Sequence, residues 1–154
     1  MSHETSRLLN NAKNPNSPTG FKKTKLSKAI DAHFEDLVRK KTGGKAVMIF
    51  TNEQGNILSV KNFVQGMTET RTSFQIDVLT SEALIEAKRS LSAVDKPKNF
   101  LNKRQKGKCR LQMKLARQLG VKAEFWFKYG ADIKIKNWIR KEGGIVKIGL
   151  GDLI

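Results

Sequence analysis

The chain has 154 residues and 38% hydrophobic content, enough for one domain with an ordinary core and a tail, which excludes wholesale disorder. No apolar run of about 18 residues is present, which excludes a membrane-spanning helix and stable membrane insertion, and the polar stretch from Met1 to Asn16 lacks the apolar segment of a secretory signal. Thirty Lys and Arg against 14 Asp and Glu leave a net charge of +16, far more than solubility needs, so the expected partner is a polyanion.

Residues 1–25 read as a polar, basic tail, punctuated by Pro15, Pro18 and Gly20 and followed by Lys22, Lys23 and Lys25; residues 26–154 read as a single domain. Ser27 is placed as the cap of a first helix, in which Ile30, Phe34, Leu37 and Val38 recur at helical spacing until Gly43 and Gly44 end it. Lys45–Thr51, Ile57–Val64, Ser73–Leu79 and Ala83–Arg89 have the short, apolar or alternating character of strands. Asn102, with Gln105 three residues on, is a capping box for a second helix that runs to Gly120. Val121–Phe127 follows as a strand, then Ala131–Lys141 as an amphipathic helix and Gly144–Ile148 as a last strand. The order α-β-β-β-β-α-β-α-β predicts an α/β fold, a mixed central sheet flanked by helices with some parallel pairing near the C-terminus.

Charge is concentrated between Lys96 and Lys122, where ten Lys and Arg stand with no acid among them. Like charges at helical spacing repel, so an uncompensated run on a helix favours a phosphate backbone as its counterion. Lys103, Arg104, Lys106, Lys108, Arg110, Lys114 and Arg117 are the candidate nucleic-acid-binding residues. Leu111, Leu115 and Leu119 form a separate stripe expected to face the sheet.

With one cysteine, Cys109, and two histidines, His3 and His33, chemistry must rest on carboxylates, lysines and backbone. One constellation fits. Asp77 lies near the end of one predicted strand, and Glu86 and Lys88 share a face of the next, because strand side chains alternate with period two. A tight turn between the strands brings the three together. Two hard carboxylates suit Mg²⁺ or Mn²⁺, with Zn²⁺ a less favoured possibility, and a lysine beside them can act on a phosphodiester. The apolar neighbours Ala83, Leu84, Ile85 and Ala87 mark a central strand, where a pair of charges needs a reason. Trp126 and Trp138 are expected at core positions, His33 as a packed or flanking residue, and Tyr129 as a weak substrate-contact candidate.

Asp77, nine residues, then Glu86-x-Lys88, set between an acid-bearing helix and a basic helix, resembles the PD-(D/E)xK restriction-endonuclease-like nucleases. The segments Phe125-Trp126-Phe127-Lys128-Tyr129-Gly130 and Gly143-Gly144-Ile145-Val146-Lys147-Ile148-Gly149 are similar to the C-terminal toxin domains of this fold in bacterial polymorphic toxins, including contact-dependent growth-inhibition proteins. The resemblance implies that Asp77 and Glu86 bind the metal, that Lys88 serves catalysis, and that Glu35 on the first helix, ahead of Asp31, completes the site. It implies a target-cell nucleic acid as substrate, tRNA ahead of DNA, an acidic cognate immunity protein as partner, and a place at the C-terminus of a secreted or cell-surface bacterial effector that acts in the target-cell cytoplasm. Ile76 stands where the pattern has proline. A glutamine on the helix after Glu-x-Lys is often functional in such proteins, and Gln105, Gln112 and Gln118 compete for that role. The rival reading is a non-enzymatic basic nucleic-acid-binding protein, which accounts for the charge but leaves Asp77 and Glu86 without a purpose.

Overall fold

A computed structural model describes residues 25–150. The elements are α1 (Lys25–Thr42), β1 (Lys45–Thr51), β2 (Ile57–Asn62), β3 (Ser73–Leu79), β4 (Ala83–Lys88), α2 (Ser92–Asp95), a 3₁₀ turn (Pro97–Asn99), α3 (Lys103–Leu119), β5 (Lys122–Phe127), α4 (Ile133–Glu142) and β6 (Ile145–Ile148). The order expected from the sequence is present, with two departures. Helix α1 already includes Lys25, so Ser27 is a buried residue of its first turn and not its cap. The segment between β4 and α3, to which the sequence pattern assigns no element, holds α2 and the 3₁₀ turn that Pro97 initiates. The rest of the predicted tail lies outside the described residues.

The six strands form one mixed sheet in the order β2-β1-β3-β4-β5-β6. β1 to β4 pair antiparallel, whereas β4-β5 and β5-β6 are parallel. Helix α1 covers one face, where Phe34 and Val38 pack with Val78, Ile85, Ala87 and Trp126. Helices α3 and α4 cover the other, with Met113, Leu115, Ala116, Ile135 and Ile139 against Ile49, Ile76, Leu84, Phe125 and Phe127. Each fully buried side chain of this size contributes about 1.5–3 kcal/mol of burial free energy, so both layers anchor the sheet. Because β4 is covered on both sides, its two charges are as exceptional as its sequence suggests.

Helix ends follow local chemistry. The Asn102 side chain accepts from the Gln105 backbone N–H at 2.9 Å, capping α3 as expected, and Gly120 closes it with φ 71°. At the α1–β1 junction Gly44 lies so close to β3 that a Cβ there would collide with the Val78 side chain, so glycine is what lets α1 press onto the strand carrying Asp77.

Strand β3 is irregular at the residue that matters. Lys45 pairs with Leu79 and Val47 with Ile76, so Asp77 and Val78 together stand opposite the single residue Ala46. This is a β-bulge, which re-aims side chains and disturbs the ladder locally. On its other edge β3 pairs with β4 only through Val78–Ile85 and Leu79–Leu84, while β4 stays paired with β5 along its whole length. From Asp77 outward the two strands part and leave a notch in the sheet.

Candidate active site

The notch is lined by the residues singled out from sequence. The Asp77 carboxylate turns into the gap and accepts from the Ala87 backbone N–H at 3.0 Å, taking the donor that a paired strand would have used. The Asp77 carbonyl, released by the bulge, accepts from Arg39 Nη1 of α1 at 3.1 Å, so the interrupted ladder leaves neither group stranded. Across the notch Glu86 Oε1 is 3.2 Å from Lys88 Nζ, as their shared strand face requires, and Glu86 Oε2 accepts from Gln112 Nε2 of α3 at 2.7 Å. Glu35, on α1, borders the same space.

The electrostatics follow from this crowding. Burial, then the charge of Glu86, then that of Glu35, hold the Asp77 carboxyl well above the usual carboxylate range, and the Ala87 N–H and Lys88 offset only part of this. Lys88 is shifted upward too: Glu86 beside it outweighs the effect of burial, so its ammonium stays charged at neutral pH. Glu86 and Glu35 thus crowd their negative charge onto Asp77, with Lys88 beside them.

Two cavities meet at these residues. One, of about 460 Å³, lies on the α3 side and is walled by Arg104, Gln105, Lys108 and Gln112 of that helix and by Glu69 and Thr70 of the β2–β3 connection. The other, of about 350 Å³, opens on the α1 side between Asp31, Arg89 and the Ser90–Phe100 segment. A larger hollow of about 600 Å³ lies elsewhere, around Glu124, Trp126 and Lys147, and touches none of the acids of the notch.

The fit of a divalent cation can be judged from the donors. Among the described residues no group of three or more His, Cys, Asp and Glu side chains is arranged to hold a metal ion. Mg²⁺, however, is ordinarily held by one or two carboxylates, with waters and substrate phosphates completing its shell, and Asp77 with Glu86 supply that much. Zn²⁺ fits less well: it prefers nitrogen and sulfur ligands, no histidine among the described residues lines the notch, and burial pushes the nearby Cys109 thiol up to about 12.

The basic run divides along α3. Arg104 and Lys108 face the cavity above the acids. Lys106 and Arg110 instead lie over the Trp138 ring, 5.7 and 5.4 Å from its centroid, and Arg110 Nη2 is 2.8 Å from Glu142 Oε1. Lys114 Nζ donates to the Gln54 carbonyl at 3.1 Å, clasping the β1–β2 turn. Lys103 and Arg117 are exposed. The basic run, whose members the sequence treats alike as candidate phosphate contacts, is thus split between the cavity, α4 and a turn.

The fold places the three glutamines differently. Gln118 accepts from the Ile57 N–H at 2.8 Å and donates to the Gly55 carbonyl at 2.8 Å, which makes it a strut for the β1–β2 turn. Gln105 borders both cavities, and Gln112 alone of the three is hydrogen-bonded to an acid of the notch. His33 is exposed on α1, Trp126 is buried, Trp138 is half-buried beneath its two cations, and Tyr129 is exposed. The Asp31–Arg89 pair, Arg89 Nε to Asp31 Oδ1 at 2.8 Å, has no signal in the sequence beyond the two charges.

A split, bulged strand pair carrying Asp77 and Glu86-x-Lys88, backed by helices on both faces, defines a restriction-endonuclease-like domain. The chain belongs to the family described as restriction endonuclease fold toxin 3, which it matches over residues 22–149, and it is a PD-(D/E)xK nuclease toxin domain. No curated protein and no solved structure matches the chain.

Proposed function

We propose that this domain is a divalent-metal-dependent endonuclease that hydrolyses phosphodiester bonds in the nucleic acid of a target cell. The observation that carries the reading is the pair of carboxylates, Asp77 fixed by the Ala87 N–H and Glu86 fixed by Gln112 and Lys88, under a wall bearing Arg104 and Lys108. Acids at the floor of a cavity walled by Arg104 and Lys108 would repel a polyanion unless a cation sat between them, which a plain nucleic-acid-binding protein does not explain.

Asp77 and Glu86 are the residues that would hold Mg²⁺ or Mn²⁺. When bound, such an ion supplies Lewis acidity toward a phosphoryl oxygen and lowers the pKa of a coordinated water. Lys88, charged at neutral pH, acts as a fixed cation toward the negative charge that develops on the attacked phosphate, and not as a base. Gln112 holds Glu86 in a single orientation, and Glu35 adds negative charge from the α1 side. Arg104 and Lys108 take flanking phosphates and position the strand.

tRNA is the substrate we favour, on the resemblance to contact-dependent toxin domains, with duplex DNA as the alternative. A chain of net charge +16 acting inside a cell calls for an acidic immunity protein that masks the cavity, and for delivery as the C-terminal part of a secreted or cell-surface effector into the target-cell cytoplasm. Among the described residues no helix is long and apolar enough to cross a membrane. The test is incubation of the domain with total tRNA and with plasmid DNA, in Mg²⁺ and in chelator. Cleavage of either polymer in Mg²⁺ alone is expected, and equal cleavage in chelator, or none under any condition, would overturn the reading.

A further inference from the structure

The cavity on the α1 side has a chemistry that differs from that of its neighbour. Beyond the notch it is bordered by Asp31, Arg89, Ser90, Ser92, Asn99 and Gln105, with the ring of buried Phe100 at its base. Arg89, the cation this border supplies among the described residues, is already matched: its Nε donates to Asp31 Oδ1 at 2.8 Å, and the side chains of both are about four-fifths buried, at 23% and 21% exposure. The cavity is lined by Asp31, Glu35, Asp77 and Glu86 together with Lys88 and Arg89, more acids than cations, which does not single it out as a second phosphate site. The remaining groups are neutral hydroxyls and amides, which can both donate and accept, and at about 350 Å³ the space is within the range of small-ligand sites.

We infer that this arm is a nucleobase pocket that reads guanine in the nucleotide next to the bond cleaved, with Arg89 as the reader and Asp31 as the residue that positions it. The inference rests on the nuclease reading above. Bonding through Nε fixes the guanidinium plane and leaves its two terminal nitrogens without a hydrogen-bond partner among the described residues. Two parallel N–H donors in a fixed plane match the O6 and N7 acceptors of guanine, the commonest specific pairing of arginine with a base. The rim is ordered in advance: Ser90 and Ser92 hydroxyls lie 2.8 Å apart, the Ser92 N–H donates to Ser90 Oγ at 3.0 Å, and the Asn99 carbonyl accepts from Asn102 at the start of α3. Lys88 and Arg89 both line this cavity, so a base seated on Arg89 belongs to the nucleotide whose phosphate reaches Lys88. Such a pocket requires the base to leave its stack, as enzymes that act on splayed or single-stranded nucleotides arrange.

The test maps cleavage ends on random-sequence RNA and DNA oligonucleotides in Mg²⁺. Wild type should prefer guanine at one position flanking the cut by roughly 5- to 150-fold over the other bases. Arg89→Met, which keeps the stem and removes the donors, should flatten that position by lowering kcat/KM for guanine substrates only; Asp31→Asn should weaken the preference without changing its identity. A folding-independent arm uses wild-type protein on a preferred oligonucleotide carrying 7-deazaguanine at that position, where a comparable loss is expected. A wild-type enzyme that cleaves without base preference there, an Arg89→Met variant that keeps the preference or loses activity equally on all bases, or indifference to 7-deazaguanine overturns the inference and leaves the nuclease reading intact. Failure of wild type to cleave either polymer removes both.

Discussion

Gln112 donates from Nε2 to Glu86 Oε2 at 2.7 Å, joining the middle of α3 to the strand that carries the Glu-x-Lys pair. Glu86 is therefore held from two sides, by this amide and by Lys88 at 3.2 Å. The bond couples the placement of a whole helix to the orientation of one carboxylate. Replacing Gln112 by Leu should lower kcat by about 10- to 100-fold, the usual effect of losing a group that orients a metal ligand, and should raise the Mg²⁺ concentration needed for half-maximal rate. KM for nucleic acid should change little. A Mg²⁺ titration of turnover at saturating substrate checks this; an unchanged titration would make Gln112 a packing residue.

Lys88→Ala should reduce turnover by on the order of 10²- to 10⁴-fold while substrate binding persists, since the charge it supplies matters chiefly as negative charge builds on the phosphate. Fluorescence anisotropy with a labelled oligonucleotide separates the two effects. Retention of toxicity at the wild-type dose would show that Lys88 is not a catalytic residue.

Asp77→Asn should destroy activity and yet stabilise the metal-free protein near neutral pH. The reasoning starts from the raised pKa of Asp77: in the folded state the carboxyl keeps its proton at a pH where the unfolded chain has lost it. Between those two values the folded state binds more protons, so stability falls as pH rises out of the ordinary carboxylate range and stays reduced at neutral pH. Asparagine removes the charge but keeps an oxygen for the Ala87 N–H. In chelator, the variant should melt higher than wild type at pH 7, by about 2–4 °C for each kcal/mol relieved, and the gap should close toward pH 4. Equal melting temperatures at pH 7 would show that the acids in the notch are not in conflict.

The division of the basic run predicts unequal roles for its members. Arg104→Met with Lys108→Met should flatten the plot of log K against log salt by about 0.7–0.9 for each phosphate these side chains neutralise in the parent protein. Lys114→Met should leave that slope alone and instead lower stability, because Lys114 clasps the β1–β2 turn through the Gln54 carbonyl. Salt titrations of binding, paired with thermal melts, distinguish the cases; a reduced slope for Lys114→Met would return it to the substrate path.

Much of this is legible in the chain because strand and helix periodicities are local. The alternation in Ala83–Lys88 places Glu86 and Lys88 on one face, and the tight turn at Thr80–Glu82 sets Asp77 beside them. What is not legible depends on distant partners. Lys106 and Arg110 look like free cations until α4 brings Trp138 and Glu142 beneath them. The choice among Gln105, Gln112 and Gln118 depends on the rotation of α3 against the sheet, which core residues such as Met113 and Leu115 decide. The bulge leaves no mark at all, since Ile76-Asp77-Val78 contains neither glycine nor proline and reads as an ordinary strand.

That bulge has a consequence for how the domain can vary. Ile76 belongs to the layer under α3 and Val78 to the layer under α1, with Asp77 turned aside between them only because the strand is one residue longer than its partner requires. Removing Val78 would restore a regular ladder with β1 and swing the carboxylate toward Phe34 and Val38, into an apolar layer with no room for a charge. Every side chain of the notch would still be encoded, but Asp77 would no longer reach it. Substitution, however thorough, leaves that arithmetic untouched; loss of the Val78 codon displaces Asp77 from the notch in one step, by a route that no inventory of its acids and lysines would reveal.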